Sequence, residues 1–255
     1  MTDPYASICY RKNFLKEVIV RIDLLNSLPG VGNALPSTLT EVAIRNFPIP
    51  EPRQAVHREV KIGPEGISTT EESVKEWLFH GKERTKTLTI GQQVLLVQHT
   101  AYETYELLKG EFTEILNNTT ALFQDIQPKR VGLRYVNTIE VAEANPIDWS
   151  AYISPHLLAL FDFPPEPDRS RLSRVFHNVE LSFDAFNLRY RFGMHNPDYP
   201  ARIRQKMFVL DLDAFTQSVV AISDVAWLLD EFHSAIQRYF ELSITNALRS
   251  MMNAA

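Results

Sequence analysis

The densest group of side chains able to hold a charged ligand lies between Arg171 and Lys206. This stretch contains seven Lys/Arg residues and three acids, a local net charge of +4, whereas the whole chain carries −5. Arginine donates paired hydrogen bonds to carboxylates and phosphates, so arginines gathered on one surface would suit an anionic partner. The seven basic residues are Arg171, Arg174, Arg189, Arg191, Arg202, Arg204 and Lys206.

Alternation along the chain predicts how these residues are displayed. Arg189 and Arg191 alternate with apolar residues in a strand predicted over 186–192, so both leave one face. Arg202, Arg204 and Lys206 alternate in the same way in a strand predicted over 202–212. Adjacent antiparallel strands would join the two sets into one basic stripe, extended by Arg130 and Arg134. The alternative is a charged outer face that acids such as Glu180 neutralise.

A third strand, predicted over 129–141, carries two further candidates. Arg134 points away from its apolar face, while Asn137 shares that face with Tyr135 and Ile139. A buried asparagine needs hydrogen-bond partners. Two interpretations stay open: a structural one, in which Arg134 pairs with an acid such as Glu17, and a ligand site. The candidate ligand-binding residues are Arg134, Asn137, Arg189, Arg191, Arg202 and Arg204.

Residues that could support catalysis or metal binding are sparse. Asp211 and Asp213 lie on one side of a strand end, where paired carboxylates can bind Mg²⁺ or transfer protons, although a polar strand terminus explains them as well. None of the seven histidines pairs at a metal-ligand spacing. The nucleophile elbow and the phosphate-loop motif are both missing from the sequence. We therefore predict no catalytic residue, no metal ligand and no cofactor.

Composition narrows the class of protein. The single cysteine, Cys9, cannot form an internal disulfide, which fits a reducing cytoplasm. It is either a reactive thiol or, as is more usual, a small apolar residue. A net charge of −5 argues against nucleic acid or an anionic membrane as partner. No stretch reaches the roughly 20 apolar residues that span a bilayer. We expect a cytoplasmic protein.

Hydrophobic periodicity predicts the elements that position these side chains. Period-two patterns predict strands over 16–25, 56–62, 74–81, 85–90, 94–99, 129–141, 172–183, 186–192 and 202–212. Three- and four-residue spacing predicts a helix over 103–123 and a second from Ser223 to about Met251, with Ser223 as N-cap and a break near 241–243. Shorter helices are predicted over 38–47 and 155–160.

The order of these elements looks duplicated, since strands lead into a long helix twice. We expect one α+β domain over 1–255, with pseudo-halves of about 1–142 and 170–255 joined by an ordered, proline-rich crossover over 143–169. Its long antiparallel sheet would carry both long helices side by side on one face. The groove between the helices would be the default ligand site.

Three segments resemble a sporadically distributed family of uncharacterised prokaryotic proteins. The family pattern opens with Tyr10, Glu17 and Val18, continues in a Gly-Leu-Arg-Tyr-x-Asn strand from Gly132 to Asn137, and ends in a helix with a histidine followed by a Phe-Glu pair. Those last residues are His233, Phe240 and Glu241, while Phe14 stands where the family often has proline. The resemblance implies a cytoplasmic prokaryotic protein and an association with mobile or defence genes, but no activity.

Our leading hypothesis from the sequence is a non-enzymatic binding or interaction protein. Its partner would be a protein or an anionic small molecule that meets the helix–sheet groove or the basic strand face. The alternative is an enzyme that holds a phosphorylated or nucleotide substrate with arginines. A third hypothesis is a homo-oligomer that associates through the C-terminal helix.

Overall fold

The computed structural model describes residues 5, 8–63, 66–161 and 163–253, and side chains are described outside 55–73 and 160. Within these ranges the chain forms ten strands and five α-helices. The strands are β1 (Leu15–Leu24), β2 (Ile49–Pro50), β3 (Arg53–Gly63), β4 (Gly66–His80), β5 (Lys86–Ile90), β6 (Val94–His99), β7 (Pro128–Glu140), β8 (Val175–Ser182), β9 (Asn187–Met194) and β10 (Met207–Phe215). The helices are α1 (Ser37–Asn46), α2 (Tyr105–Leu122), α3 (Pro155–Leu158), α4 (Val225–Ser243) and α5 (Asn246–Asn253).

The strands form a large antiparallel sheet, which confirms the predicted α+β class. Its order is β2-β4-β5-β6-β1-β7-β10-β9-β8, and β3 pairs with β4 outside this path. The chain divides into two compact units: the first comprises Met1–Val18, Gly132–Gln217 and Trp227–Ala255, and the second comprises Ile19–Val131 and Ser218–Ala226.

The element order is repeated, as the sequence predicts. Strands β4, β5 and β6 form a meander whose last strand lies beside β1. Strands β8, β9 and β10 form a second meander whose last strand pairs with β7. A long helix follows each meander, α2 after β6 and α4 after β10.

Local chemistry sets the bounds of α2. The side chain of Thr104, the N-cap, accepts a hydrogen bond of 3.1 Å from the backbone N–H of Leu107. A side-chain acceptor at this position satisfies one of the donors that a helix start leaves unpaired. The apolar stripe of Leu108, Phe112 and Ile115 is buried and packs α2 against β6. The structure confirms this predicted helix to within two residues.

The C-terminal helix is interrupted where the sequence predicts a break. The backbone N–H of Ser154 donates to the carbonyl of Ser243, and that of Thr245 donates to the carbonyl of Tyr152. Ile153 and Ile244 form an antiparallel bridge between them. These bonds pull the chain out of helical geometry between α4 and α5. Ser223 is not the N-cap that the sequence predicts, because it lies in a 3₁₀ turn over Ile222–Asp224.

Helix α4 covers one face of the sheet in the first unit. Phe232 packs edge-on against Phe186, with ring centroids 5.0 Å apart. The buried hydroxyl of Tyr190 donates to Ser243 at 2.6 Å. Side chains alternate along a strand, so the residues of β9 on either side of Tyr190 point to the opposite face. That second face, away from α4, carries the arginines.

Candidate functional site

Four neighbouring strands of the first unit build a charged surface on the sheet face away from α4. Alternation places Arg134 of β7, Arg191 of β9 and Asp211 of β10 on this face. The pairing of β10 puts Asp211 directly opposite Arg191. We call this surface the ion-pair face, defined by Arg134, Glu180, Arg189, Arg191, Asp211 and Asp213.

Asp211 is the centre of the ion-pair face. Arg134 donates from Nε to Oδ1 at 2.7 Å and from Nη2 to Oδ2 at 2.8 Å. Arg191 donates from Nη2 to Oδ2 at 2.5 Å. Asp211 is only 5% exposed, so its charge depends on these two guanidinium groups. The hydrogen bonds to Asp211, with its charge, raise the pKa of Arg134.

A second ion pair lies at the outer strand. Arg189 of β9 donates from Nε to Oε1 of Glu180 at 2.7 Å. Its guanidinium also lies 5.2 Å from the ring centroid of Phe215. Asp213 is opposite both Arg134 and Arg189 in the pairing of β10. Three arginines and three carboxylates therefore share the face, and it has no excess positive charge.

The six candidate ligand-binding residues separate into three places. Arg134, Arg189 and Arg191 lie together on the ion-pair face. Asn137 lies on the opposite face, is 5% exposed, and its Nδ2 reaches the carbonyl of Leu210 only at 3.5 Å. Arg202 and Arg204 are exposed but lie in the loop before β10.

The predicted strand start at Arg202 is wrong, and with it the stripe of Arg202, Arg204 and Lys206. Strand β10 begins at Met207 because side-chain bonds hold the preceding segment as a loop. Asn196 donates from Nδ2 to the carbonyls of Ser173 and Ala201, at 2.9 and 2.6 Å. The N–H of Ile203 donates to the carbonyl of Leu172 at 2.8 Å.

Lys206 is buried instead of exposed. Its ammonium donates to Glu143 at 2.6 Å and lies 5.3 Å from the ring centroids of both Trp149 and Tyr152. The hydroxyl of Tyr152 donates to the same Glu143 carboxylate. These hydrogen bonds, that of Lys206 first, lower the pKa of Glu143. The cluster holds the crossover over 143–169 in place. In the sequence, the only indication that this segment is ordered was its apolar composition.

A small cavity of about 330 Å³ lies in the same crossover. Its lining is mostly apolar and includes Trp149, Pro155 and Leu158. The nearest carboxylate, Asp148, accepts hydrogen bonds from the N–H and the hydroxyl of Ser150, at 3.0 and 2.7 Å. Those bonds lower the pKa of Asp148. The cavity could hold a small apolar group.

The second unit contains a buried polar cluster of its own. Glu111 of α2 accepts from His99 Nε2 at 2.8 Å and from the ammonium of Lys86. Burial works to raise the pKa of Glu111, but the hydrogen bonds from His99 and Lys86 outweigh it, and the pKa lies below its usual range. The cluster joins α2 to β5 and β6, and its members His99 and Glu111 are only 2% and 5% exposed.

Motif residues that are far apart in the sequence meet in the structure. The hydroxyl of Tyr10 donates to Glu241 at 2.7 Å. The hydroxyl of Tyr135 lies 3.1 Å from Nδ1 of His233. These pairs join the segment before β1 and strand β7 to α4. The sequence pattern does not show which of these residues contact each other.

The outermost strand of the first unit, β8, is largely exposed. Five of its eight residues are exposed, whereas five of eight in the adjacent β9 are buried. Within the described residues, β8 pairs with β9 and with no strand on its other side. Its exposed side chains include Phe176 at 42% and Val179 at 37%, which point to opposite faces of the sheet.

Two kinds of functional feature are absent from the part of the chain that the structure describes. There, no group of three or more His, Cys, Asp or Glu side chains could hold a metal ion. The helices of that part also lack an apolar run of the length that a bilayer span needs. The side chain of His57 lies outside the described residues, and Cys9 is an exposed free thiol.

Neither the models of known protein families nor the curated proteins contain a match to this chain.

Proposed function

We propose that this protein is a cytoplasmic binding protein that docks another polypeptide, as an added strand, along the outer edge of β8. The observation that supports this proposal is the chemistry of that edge. A strand at the edge of a sheet presents a row of backbone donors and acceptors that an extended chain can pair with. Phe176 and Val179 would add side-chain contacts on the two faces.

Proteins that do not use an edge usually block it. Short edge strands, proline and lysine serve this purpose in natural sheets. At the opposite end of this sheet, β4 pairs with β2, which has two residues including Pro50, and with β3, whose eleven residues include Lys61. Strand β8 has eight residues, none of them proline or lysine, and its one charged residue, Glu180, already pairs with Arg189.

Site-specific photo-crosslinking in the native cell tests this proposal. A crosslinking amino acid replaces Asn178, which is exposed in the middle of β8, and a matched control replaces the exposed Glu83. We expect polypeptide adducts at position 178 only. Val179→Lys puts a charge on the edge and should reduce both the adducts and the affinity of the purified pair. Equal labelling at both positions, or insensitivity to Val179→Lys, would overturn the proposal.

A second function is favoured by a separate observation. Arg134 and Arg191 converge on one carboxylate, and two guanidinium groups in this arrangement also suit a phosphoryl group. An enzyme or carrier for a phosphorylated substrate would use them once Asp211 moved aside. Thermal shift against nucleotides and sugar phosphates decides between the two functions. Stabilisation that Arg134→Ala and Arg191→Ala both abolish would favour the second, because a ligand of the folded state must stabilise it.

A further inference from the structure

We infer that the strand added to β8 is β8 of a second copy of this chain, antiparallel and centred on His177. This inference rests on the proposed function and names its partner. Two identical edges that pair antiparallel are related by a two-fold axis perpendicular to the sheet, so each contact occurs twice. That axis keeps each face of the sheet on the same side in both copies. Only residues of the same face can then stand opposite one another.

Charge fixes the register. Arg174 directly precedes β8, is exposed, and its guanidinium lies 4.4 Å from the ring centroid of the exposed Tyr199. With His177 at the centre, Arg174 lies opposite Glu180 of the second copy, and Glu180 lies opposite the other Arg174. Each Glu180, half-exposed beside Arg189, would then have an arginine on both sides. Opposite charges directly across a strand pair stabilise it.

Neighbouring registers lack this match. A centre at Asn178 places Glu180 opposite the apolar Phe176, and a centre at Phe176 places Arg174 opposite the neutral Asn178. The His177 register also pairs Val179 with Val175 of the second copy on the other face. Val179 is exposed on the single chain, so this contact removes apolar area from water.

The oligomeric state in solution is the first test. Sedimentation of the purified chain over a wide range of concentration should show a monomer–dimer equilibrium, and added salt should weaken it because exposed charge pairs are screened. A monomer at every concentration would overturn the inference. The proposed function would then still be judged by the crosslinks at position 178, which would identify a different polypeptide or none.

Charge reversal tests the register. Arg174→Glu puts two Glu–Glu contacts into the dimer, and Glu180→Arg puts in two Arg–Arg contacts. We expect either variant to raise the dimer Kd about tenfold. A mixture of the two variants restores opposite charges at both contacts of the mixed dimer, so the mixture should recover wild-type affinity.

The matched control is Lys82→Glu, an equal change of charge at an exposed residue outside β8. It should leave the Kd unchanged. Glu180→Arg also removes the ion pair with Arg189 of the same copy. Mixing restores only the contacts between copies, so recovery in the mixture shows that the lost affinity came from those contacts. A dimer that tolerates both reversals, or a mixture no tighter than the single variants, would overturn the inference.

Discussion

The hydroxyl of Tyr10 donates a hydrogen bond of 2.7 Å to the carboxylate of Glu241, although 231 positions separate the two residues. Arg249 of α5 donates to the other oxygen of that carboxylate at 2.9 Å. Burial, together with the adjacent Glu241, raises the pKa of Tyr10 above its usual range. The bond ties the segment before β1 to the end of α4.

Tyr10→Phe should lower the free energy of unfolding by about 1.5 kcal/mol, because it leaves a buried carboxylate oxygen without its donor. Urea denaturation measures the change. Tyr199→Phe removes a hydroxyl from an exposed tyrosine and should change stability by less than about 0.5 kcal/mol. Similar effects of the two substitutions would show that the Tyr10 bond adds no stability.

Asp211→Asn should lower the free energy of unfolding by about 2 kcal/mol, because it neutralises the buried carboxylate to which both Arg134 and Arg191 donate. The partial exposure of both arginines keeps the cost below that of a fully buried pair. Glu180→Gln breaks an exposed ion pair on the same face and should cost about 0.5 kcal/mol or less. A larger loss at Glu180 than at Asp211 would contradict the central role of Asp211.

Phosphate should stabilise the Asp211→Asn variant more than it stabilises the wild type. The two arginines that lose their carboxylate can then bind the anion, and a ligand of the folded state raises its stability. Melting temperatures in phosphate and in chloride of equal ionic strength give the comparison. An equal response of both proteins would show that Asp211 does not occupy an anion site.

The stabilising contribution of Glu111 should be lost in acid. Its folded-state pKa is lowered, so it contributes stability that is present above its unfolded pKa, about 4.3. This stability is lost as the pH falls through the lower folded pKa. In Glu111→Gln the unfolding free energy should be smaller at neutral pH and fall less steeply below about pH 4. Glu83→Gln, at an exposed position outside the helices and strands, should leave the curve unchanged.

The sequence predicted α2, strands β5 and β6 and the break after α4 because their signals are local. Thr104 caps α2 from three residues away, and period-two runs define β5 and β6 without reference to the rest of the chain. The repeated strand–helix order followed from the same patterns. Strand β3 and the full length of β4 were underestimated, because Ser68 to Ser73 show no apolar alternation.

The candidate site was predicted less well, because its properties depend on contacts between distant residues. Nothing near Arg134 or Arg191 in the sequence shows that both are held by Asp211. Lys206 fits the alternating pattern of Arg202 and Arg204, yet Glu143, which lies 63 positions away, buries it in an ion pair. From the sequence alone a charged residue is predicted to be exposed, because the partner that would allow its burial is unknown.

Gly193 of β9 is the position at which a single methyl group should loosen β8. A Cβ atom there would lie 2.0 Å from the carbonyl oxygen of Val175 and 2.8 Å from Cα of Phe176. Both are backbone atoms of β8, so the clash can be relieved only if that strand moves. Gly193→Ala should therefore lower the free energy of unfolding by about 2–3 kcal/mol and speed amide hydrogen exchange in β8.

Gly110 provides the matched control, because a Cβ atom there meets nothing within 4 Å. This glycine lies inside α2, where alanine restricts the unfolded chain and favours the helix. Gly110→Ala should raise the free energy of unfolding by about 0.5–1 kcal/mol and leave exchange in β8 unchanged. If Gly193→Ala were also neutral or stabilising, β8 would have room to shift away from β9. The edge strand β8 would then be mobile, and it would not hold Arg174 and Glu180 in fixed positions opposite those of the second copy.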